Sequence, residues 1–146
     1  MELLEGTPGL ITYLALKLGG YLLWSYVGVK WLGRDARKPL SAAVGLGVGR
    51  LMLGWGTGIA VAPFALVAAG LEQLPAFYFT GLAVVRWLEW GVIHCMIPGA
   101  GGMSAGFLTG GTAPGRVWRV VGVLVSYLAD APFLITEGFP HGRIFC

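Results

Sequence analysis

Charged side chains are scarce in this sequence of 146 residues. Asp, Glu, Lys and Arg together make up 12% of the residues, whereas hydrophobic residues make up 56%. A soluble domain typically has about 25% charged residues, because its surface has to be hydrated. The mean hydropathy of +0.75 points the same way. The composition therefore excludes an ordinary soluble domain and predicts an integral membrane protein.

Several other classes of protein lack the residues they would need. The two cysteines, Cys95 and Cys146, are too few for a disulfide framework, and both are expected to be free thiols. No basic patch is interleaved with stacking aromatic residues, which excludes a nucleic-acid partner despite the net charge of +3. The first residues, MELLEG, contain two acids and no basic residue, so we expect no cleaved signal peptide.

The sequence does contain four long apolar runs, over residues 10–32, 40–70, 75–97 and 117–136. Each meets the requirement of roughly 20 apolar residues for a helix that crosses a bilayer core of about 30 Å. The runs are continuous and lack the alternation of a barrel strand. A charged loop, a short turn and a Gly-rich loop at 98–116 separate them. The sequence therefore predicts an all-α fold, with a single transmembrane domain of four membrane-spanning helices in a bundle.

Basic residues determine the predicted orientation in the membrane. They cluster in the first loop and around the end of the Gly-rich loop, as Arg34, Arg37, Lys38, Arg116 and Arg119. The short turn and the two termini contain a single basic residue, Arg143. Because positively charged loops stay in the cytoplasm, both termini are predicted on the outer side of a bacterial-type cytoplasmic membrane. Aromatic residues near the ends of the runs are expected at the headgroup level, namely Tyr13, Trp31, Tyr78 and Trp118.

The ionisable residues inside the runs fall on one face of each predicted helix. At about 100° per residue, the third run places Arg86, Glu89, Trp90 and Ile93 on one face, with His94 beside it. The inward face of the first run comprises Tyr13, Lys17, Tyr21, Trp24 and Gly28, and that of the second comprises Ala43, Gly47, Arg50, Gly54 and Gly58. The fourth run contributes Arg119, Val123, Ser126 and Asp130, flanked by Tyr127. Four such faces turned together predict a polar interior.

A charge at the centre of a bilayer costs about 2.5–3.5 kcal/mol, so these groups are expected to be paired. Arg86 and Glu89 are three residues apart and are predicted to pair on their own helix, with Asp130 as a second acceptor for Arg86. Lys17 is close enough to the outer edge for its ammonium to reach the headgroups. A neutral quartet of Arg50, Arg86, Glu89 and Asp130 then remains. With Ser126 and Tyr127 it forms the candidate ligand- or ion-binding site, and a purely structural ion-pair network is the alternative.

Two pairs of glycines four residues apart are predicted to be helix-packing positions. They are Gly45 with Gly49, and Gly54 with Gly58, and small residues at this spacing let two helix backbones approach closely in lipid. Four helices enclose little lumen, so a pathway through the membrane would need further copies or partners. We therefore expect a homo-oligomer or a larger membrane complex.

The leading hypothesis for function is a small membrane protein that binds or passes a small ion or proton through the charged quartet. One alternative is a membrane-embedded enzyme or binding protein for a lipid or isoprenoid, with Glu89, His94 and Asp130 as acid and base groups. Trp24, Trp87 and Trp90 would then line an apolar slot. A purely structural subunit is a further alternative. No metal site and no cofactor are predicted; haem held between two subunits by His94 stays open as an option.

Overall fold

The structure is a computed structural model, and it describes residues 6–33, 37–70, 73–100 and 107–137. Within these ranges every regular element is helical, so the all-α prediction is confirmed. The helices are α1 (Gly6–Leu32), α2 (Pro39–Gly70), α3 (Leu74–Ala76), α4 (Leu82–Met96) and α5 (Ala113–Glu137), and a π-helical turn over Phe77–Gly81 joins α3 to α4. Several predicted features lie outside the described residues, namely Arg34, Arg143, Cys146 and the middle of the Gly-rich loop, residues 101–106.

Local sequence signals explain where the helices begin and end. Helix α2 begins at Pro39 and α5 has Pro114 in its first turn, because proline has a φ suited to a helix start and no N–H to leave unpaired there. The hydroxyl of Thr112 accepts a hydrogen bond from the Gly115 N–H at 3.4 Å, which caps the start of α5. Helix α4 ends at Met96 because Ile97, which precedes Pro98, is extended.

The long helices form a closed ring. Helix α1 packs against α2 and α5, and α4 packs against the same two neighbours, so the helical bundle is confirmed. The centre of the ring is aromatic: the ring of Trp90 lies edge-to-face with those of Tyr21 and Trp118, at centroid distances of 5.7 and 5.1 Å. Trp24 and Trp118 stack and donate their indole N–H groups to each other's carbonyl oxygens, at 3.0 and 3.3 Å. These bonds fix the register of α1 against α5.

Glycine makes room for two of these indoles. A Cβ on Gly28 would lie 2.5 Å from the indole nitrogen of Trp118, and one on Gly122 would lie 2.6 Å from Cδ2 of Trp90. Both distances are far below van der Waals contact, so any larger side chain at either position would push an indole out of the core.

A close approach between α1 and α2 occurs at Gly47, which is not one of the four predicted packing glycines. A Cβ on Gly47 would lie 2.7 Å from a methyl carbon of Leu22 and 3.0 Å from its backbone, whereas one on Gly45 or Gly49 would meet nothing within 4 Å. Gly45 and Gly49 therefore make no close contact within one copy of the chain, and their role in helix packing stays a prediction. Gly54 and Gly58 are buried, as the face assignment requires.

The predicted inward faces are confirmed. On α1, α2, α4 and α5 the assigned residues are buried, apart from the half-buried Trp24 and Val123. Of the aromatic residues expected at the headgroup level, only Trp31 is exposed, at 50%; Tyr13, Tyr78 and Trp118 turn inward and are buried. By length and composition, one of the described helices is long and apolar enough to cross a membrane, over Pro39–Phe64 of α2.

Alanine substitutions along α2 should separate the packed glycine from the open one. Gly47→Ala is expected to lower the thermal unfolding temperature, because the new methyl group collides with Leu22. Gly45→Ala is the matched control, and it should leave stability unchanged or raise it by up to about 1 kcal/mol through helix propensity. Thermal unfolding of the detergent-purified variants, followed by tryptophan fluorescence, makes the comparison. Equal losses in both would contradict this packing of α1 on α2.

Candidate functional site

The carboxylate of Asp130 is the most heavily bonded group in the described interior. Its Oδ1 lies 3.0 Å from the hydroxyl of Tyr13, which donates to it, and 2.9 Å from the ammonium of Lys17. Its Oδ2 accepts hydrogen bonds from the hydroxyl of Tyr78 at 2.8 Å and from Nη2 of Arg86 at 2.5 Å. Asp130 is 4% exposed. A carboxylate has about four lone-pair sites, so these four donors leave it little room for another ligand.

Aromatic rings complete the surroundings of Arg86. Its guanidinium carbon lies 4.0 Å from the centre of the Tyr127 ring and 5.2 Å from that of Tyr78. The hydroxyl of Tyr127 donates to the carbonyl oxygens of Tyr78 and Phe79, at 3.2 and 3.0 Å, and both carbonyls belong to the π-helical turn. The turn therefore holds the ring of Tyr127 in place over the cation. Such turns are frequent at functional sites.

A second ion pair joins α2 to α4. Arg50 Nη2 lies 2.5 Å from Oε2 of Glu89, and the hydroxyl of Thr57 donates a short hydrogen bond to Oε1. The guanidinium of Arg50 also lies near two rings, 4.8 Å from the centre of Tyr21 and 5.3 Å from that of Trp90. Arg50 is 1% exposed and Glu89 is 5% exposed. The ion pair is thus buried inside the bundle.

These contacts correct two predicted pairings. Arg86 does not pair with Glu89 on its own helix, because neighbouring helices offer each residue a partner across the interface: Asp130 for Arg86 and Arg50 for Glu89. Lys17 does not reach the headgroups; it is fully buried and pairs with Asp130. The interior is therefore not a neutral quartet.

Positive charge exceeds negative charge in the described interior. Four cations are buried, namely Lys17, Arg50, Arg86 and Arg119, against the two carboxylates Glu89 and Asp130, so that four minus two leaves +2. Several of their N–H groups have no hydrogen-bond partner within the described residues: Nε and Nη1 of Arg50, Nη1 of Arg86 and Nε of Arg119. The acceptors are saturated while donors are left over. The interior has unused capacity for an acceptor, not for a cation.

Arg119 and His94 form a third polar group, nearer the basic end of the bundle, which carries the exposed residues Lys30, Arg37, Lys38 and Arg116. Nη2 of Arg119 lies 3.3 Å from Nδ1 of His94, and Nη1 donates a short hydrogen bond to the carbonyl oxygen of Phe107. Its guanidinium carbon also lies 5.5 Å from the centre of the Trp87 ring. Through its bond to the Phe107 carbonyl, Arg119 holds the chain segment that precedes α5 against the bundle.

The acid and base groups of the lipid-enzyme hypothesis do not meet. Glu89 bonds to Arg50 and Thr57, Asp130 belongs to the Lys17–Arg86 cluster, and His94 contacts Arg119. The expected tryptophan slot is also not formed: Trp90 is fully buried and donates to the Ser126 hydroxyl, Trp24 stacks on Trp118, and Trp87 donates to the Leu108 carbonyl. Ser126 in turn donates to the Gly122 carbonyl, so the hydroxyl belongs to the aromatic core.

Comparison with known proteins gives no precedent for this arrangement. No protein-family model, no curated protein and no solved structure matches the chain. Within the described ranges, no three His, Cys, Asp or Glu side chains are grouped so that they could hold a metal ion. The chemistry of the site is therefore that of the Lys17–Asp130–Arg86 cluster and the Arg50–Glu89 pair, their aromatic surroundings and a surplus of guanidinium donors.

Sequence reasoning missed several partners of the charged residues. Tyr13 precedes Lys17 by one helical turn, and this spacing was a signal that both reach the same acceptor. Thr57 lies seven residues after Arg50, hence on the same side of α2 two turns further along. Tyr78 had no such signal, because it precedes Arg86 across the π-helical turn, which changes the helical phase.

Charge balance around Asp130 predicts the stability of three variants. Asp130→Asn leaves Lys17 and Arg86 without a counter-charge and should cost roughly 3–5 kcal/mol. Lys17→Met should cost less, because it leaves a neutral Asp130–Arg86 pair. The double variant should recover part of the Asp130→Asn loss, since one of the two stranded cations is gone. Thermal unfolding in detergent provides the comparison, with the exposed Arg37→Gln as control. An Asp130→Asn protein as stable as the parent would refute this network.

Proposed function

We propose that this protein is an integral membrane protein of four spanning helices, with both termini outside a bacterial-type cytoplasmic membrane, and that its charged interior binds or passes a small ion. The spans are α1, α2, the continuous helix from α3 to α4, and α5. The proposal has two parts, the membrane location and the ion, and different observations support each.

The distribution of polarity supports the membrane location. Large hydrophobic side chains cover the outside of the helices, for example Leu23 at 66%, Ile59 at 79% and Leu128 at 70% exposed. The charged side chains described as exposed all lie at one end of the bundle, and they are basic: Lys30, Arg37, Lys38 and Arg116. A soluble protein exposes its charges and rarely leaves such large apolar areas uncovered. Basic residues at one end are typical of the cytoplasmic side.

The inward charges also account for the hydropathy of the helices. Helices α1, α4 and α5 carry Lys17, Arg86, Glu89, Arg119 and Asp130, which lower their mean hydropathy. Because these side chains are buried in the bundle, they present no charge to lipid. Polar groups that face a bundle interior are the usual way in which membrane helices carry ionisable residues.

The excess of buried donors carries the proposal that the ion is an anion. The carboxylates are occupied by donors of their own, whereas the N–H groups of Arg50 and Arg86 noted above have no partner within the described residues. The net interior charge of +2 attracts an anion and repels a cation. A cation pathway would need free carboxylate or carbonyl oxygens, and a proton pathway would need a carboxylate that exchanges its donors during transfer.

Flux through proteoliposomes tests the proposal. The parent protein should conduct chloride in preference to potassium, and the double variant Arg50→Gln with Glu89→Gln should reduce that flux about tenfold or more, because it removes a buried cation and its free donors while keeping the pair neutral. Arg37→Gln, an exposed cation, is the control and should conduct like the parent. No flux in the parent, or unchanged flux in the double variant, counts against the anion proposal. Potassium or proton flux without chloride flux would contradict it as well.

We also propose that the chain assembles into a homo-oligomer or joins a larger membrane complex. Gly45 and Gly49 lie on the outer side of α2 with open space around them, which suits the close approach of a helix from another copy. Native mass spectrometry from mild detergent should therefore report more than one copy. Gly45→Leu with Gly49→Leu should shift the population to the monomer without lowering its unfolding temperature. A parent that is monomeric in every mild detergent would contradict this assembly.

A purely structural subunit is the second candidate, and the saturation of Asp130 favours it. Its four donors come from three different parts of the bundle, so the network also specifies which helices are neighbours. In that case the interior variants would lower the unfolding temperature and leave flux at the level of empty liposomes throughout.

A further inference from the structure

A pocket opens at the basic end of the bundle, away from the interior ion pairs. Its volume is about 480 Å³, and it lies between the end of α1, the end of α4 and the start of α5. Residues from all three contribute to its wall, among them Trp31, Leu32, His94, Gly99, Thr112 and Pro114. The interior ion pairs do not line it, so it is a separate site.

The contact with Arg119 determines which ring nitrogen of His94 carries the proton. A guanidinium has only donors, so Nη2 of Arg119, 3.3 Å from Nδ1, makes Nδ1 the acceptor. The proton of the neutral imidazole is therefore on Nε2. His94 is only 7% exposed, lines the pocket, and makes no Nε2 hydrogen bond within the described residues. This N–H is thus a donor at the pocket wall without a partner among the described residues.

Gly115 keeps the space beside that donor open. A Cβ at this position would lie 2.9 Å from Nε2 of His94, too close for a third group to approach the N–H from that side. It would also lie 2.8 Å from the carbonyl oxygen of Gly110, so the glycine has a packing role as well. Glycine in the first turn of a helix costs up to about 1 kcal/mol relative to alanine.

The start of α5 adds a second donor and a favourable field. The Thr112 hydroxyl accepts from the Gly115 N–H, so its own proton is available to donate, and Thr112 lies on the pocket wall. The N-terminus of a helix carries a partial positive charge that favours anions. Behind His94, the buried Arg119 contributes a full positive charge.

The exposed charges described at this end of the bundle are all positive. They are Lys30, Arg37, Lys38 and Arg116, whereas Glu89 and Asp130 are engaged in the interior ion pairs. Trp31, half exposed on the pocket wall, has the ring that membrane proteins place at the headgroup level. Donors without described partners in a positive field favour an anionic acceptor.

We propose that this pocket binds a phosphate-type oxyanion, with the Nε2–H of His94 and the hydroxyl of Thr112 as its donors. A tetrahedral oxyanion offers several acceptor oxygens to these donors, one on α4 and one just before α5. The same chemistry is presented by free phosphate and by the headgroup of an anionic phospholipid. This proposal does not depend on the proposed ion flux, because it requires only the pocket. Binding at the pocket and conduction through the interior can therefore fail separately.

Isothermal titration of the purified protein in detergent tests the site with three probes. Inorganic phosphate and dihexanoylphosphatidic acid represent the two sources, and dihexanoylphosphatidylcholine is the zwitterionic control. Saturable binding of inorganic phosphate assigns a soluble anion, and binding of the phosphatidic acid without inorganic phosphate assigns a lipid headgroup. Binding of neither, or equal binding of the phosphatidylcholine, overturns the proposal.

Two substitutions of His94 distinguish the contribution of its Nε2–H donor from that of its packing. Glutamine places an amide N–H near the position of Nε2, whereas asparagine reaches only the position of Nδ1. His94→Asn should therefore weaken binding about tenfold or more, and His94→Gln should stay within about threefold of the parent. The surface-charge control is Lys30→Gln, because the ammonium of Lys30 lies over the Tyr26 ring and outside the pocket wall. This variant should change affinity about twofold at most. Unfolding temperatures within a few degrees of the parent establish that each variant is folded. Parent-like binding by His94→Asn, or an equal loss in Lys30→Gln, would overturn the role of His94.

Discussion

The bundle depends on one carboxylate. Asp130, on α5, bonds to Tyr13 and Lys17 of α1, to Tyr78 of the π-helical turn and to Arg86 of α4. Each of these groups is nearly inaccessible to solvent, so none has bulk water as an alternative partner. Because a buried cation without a counter-charge is strongly destabilising, only a packing that brings α1 and α4 to the same side chain of α5 is tolerated. The order of helices around the ring follows from this constraint.

Aromatic ring faces stabilise the buried cations, for which the described interior has too few carboxylates. Three of the four buried cations share the two carboxylates, and each arginine lies near at least one ring: Arg50 near Tyr21 and Trp90, Arg86 near Tyr127, and Arg119 near Trp87. A ring face attracts a cation without bringing a full negative charge. The cations are stabilised, yet their net charge is not cancelled. This difference between stabilising and neutralising a charge leaves an interior that is positive and rich in donors.

The helical period in the sequence was sufficient to predict which side of each helix faces inward, but not which residues meet there. Arg50, Arg86, Glu89 and Asp130 were all assigned correctly to buried faces, because that assignment needs only about 100° per residue. Their pairing depends on which helices are neighbours and at what height. For that reason Arg86 pairs with Asp130 of α5 and not with Glu89, which is only three residues away in the sequence. Likewise, spacing alone suggested Gly45 and Gly49, whereas the actual contact at Gly47 depends on where Leu22 of α1 lies.

The polar groups occupy separate levels of the bundle, with an aromatic layer between them. Asp130 and Glu89 lie towards one end and His94 with Arg119 towards the other, and between them Trp90, Trp118 and Tyr21 pack edge-to-face. Gly28 and Gly122 lie so close to these indoles that the rings have little freedom to turn aside. An ion held at the basic end is therefore separated from the guanidiniums of Arg50 and Arg86 by these rings, which any passage between the two sites would have to displace.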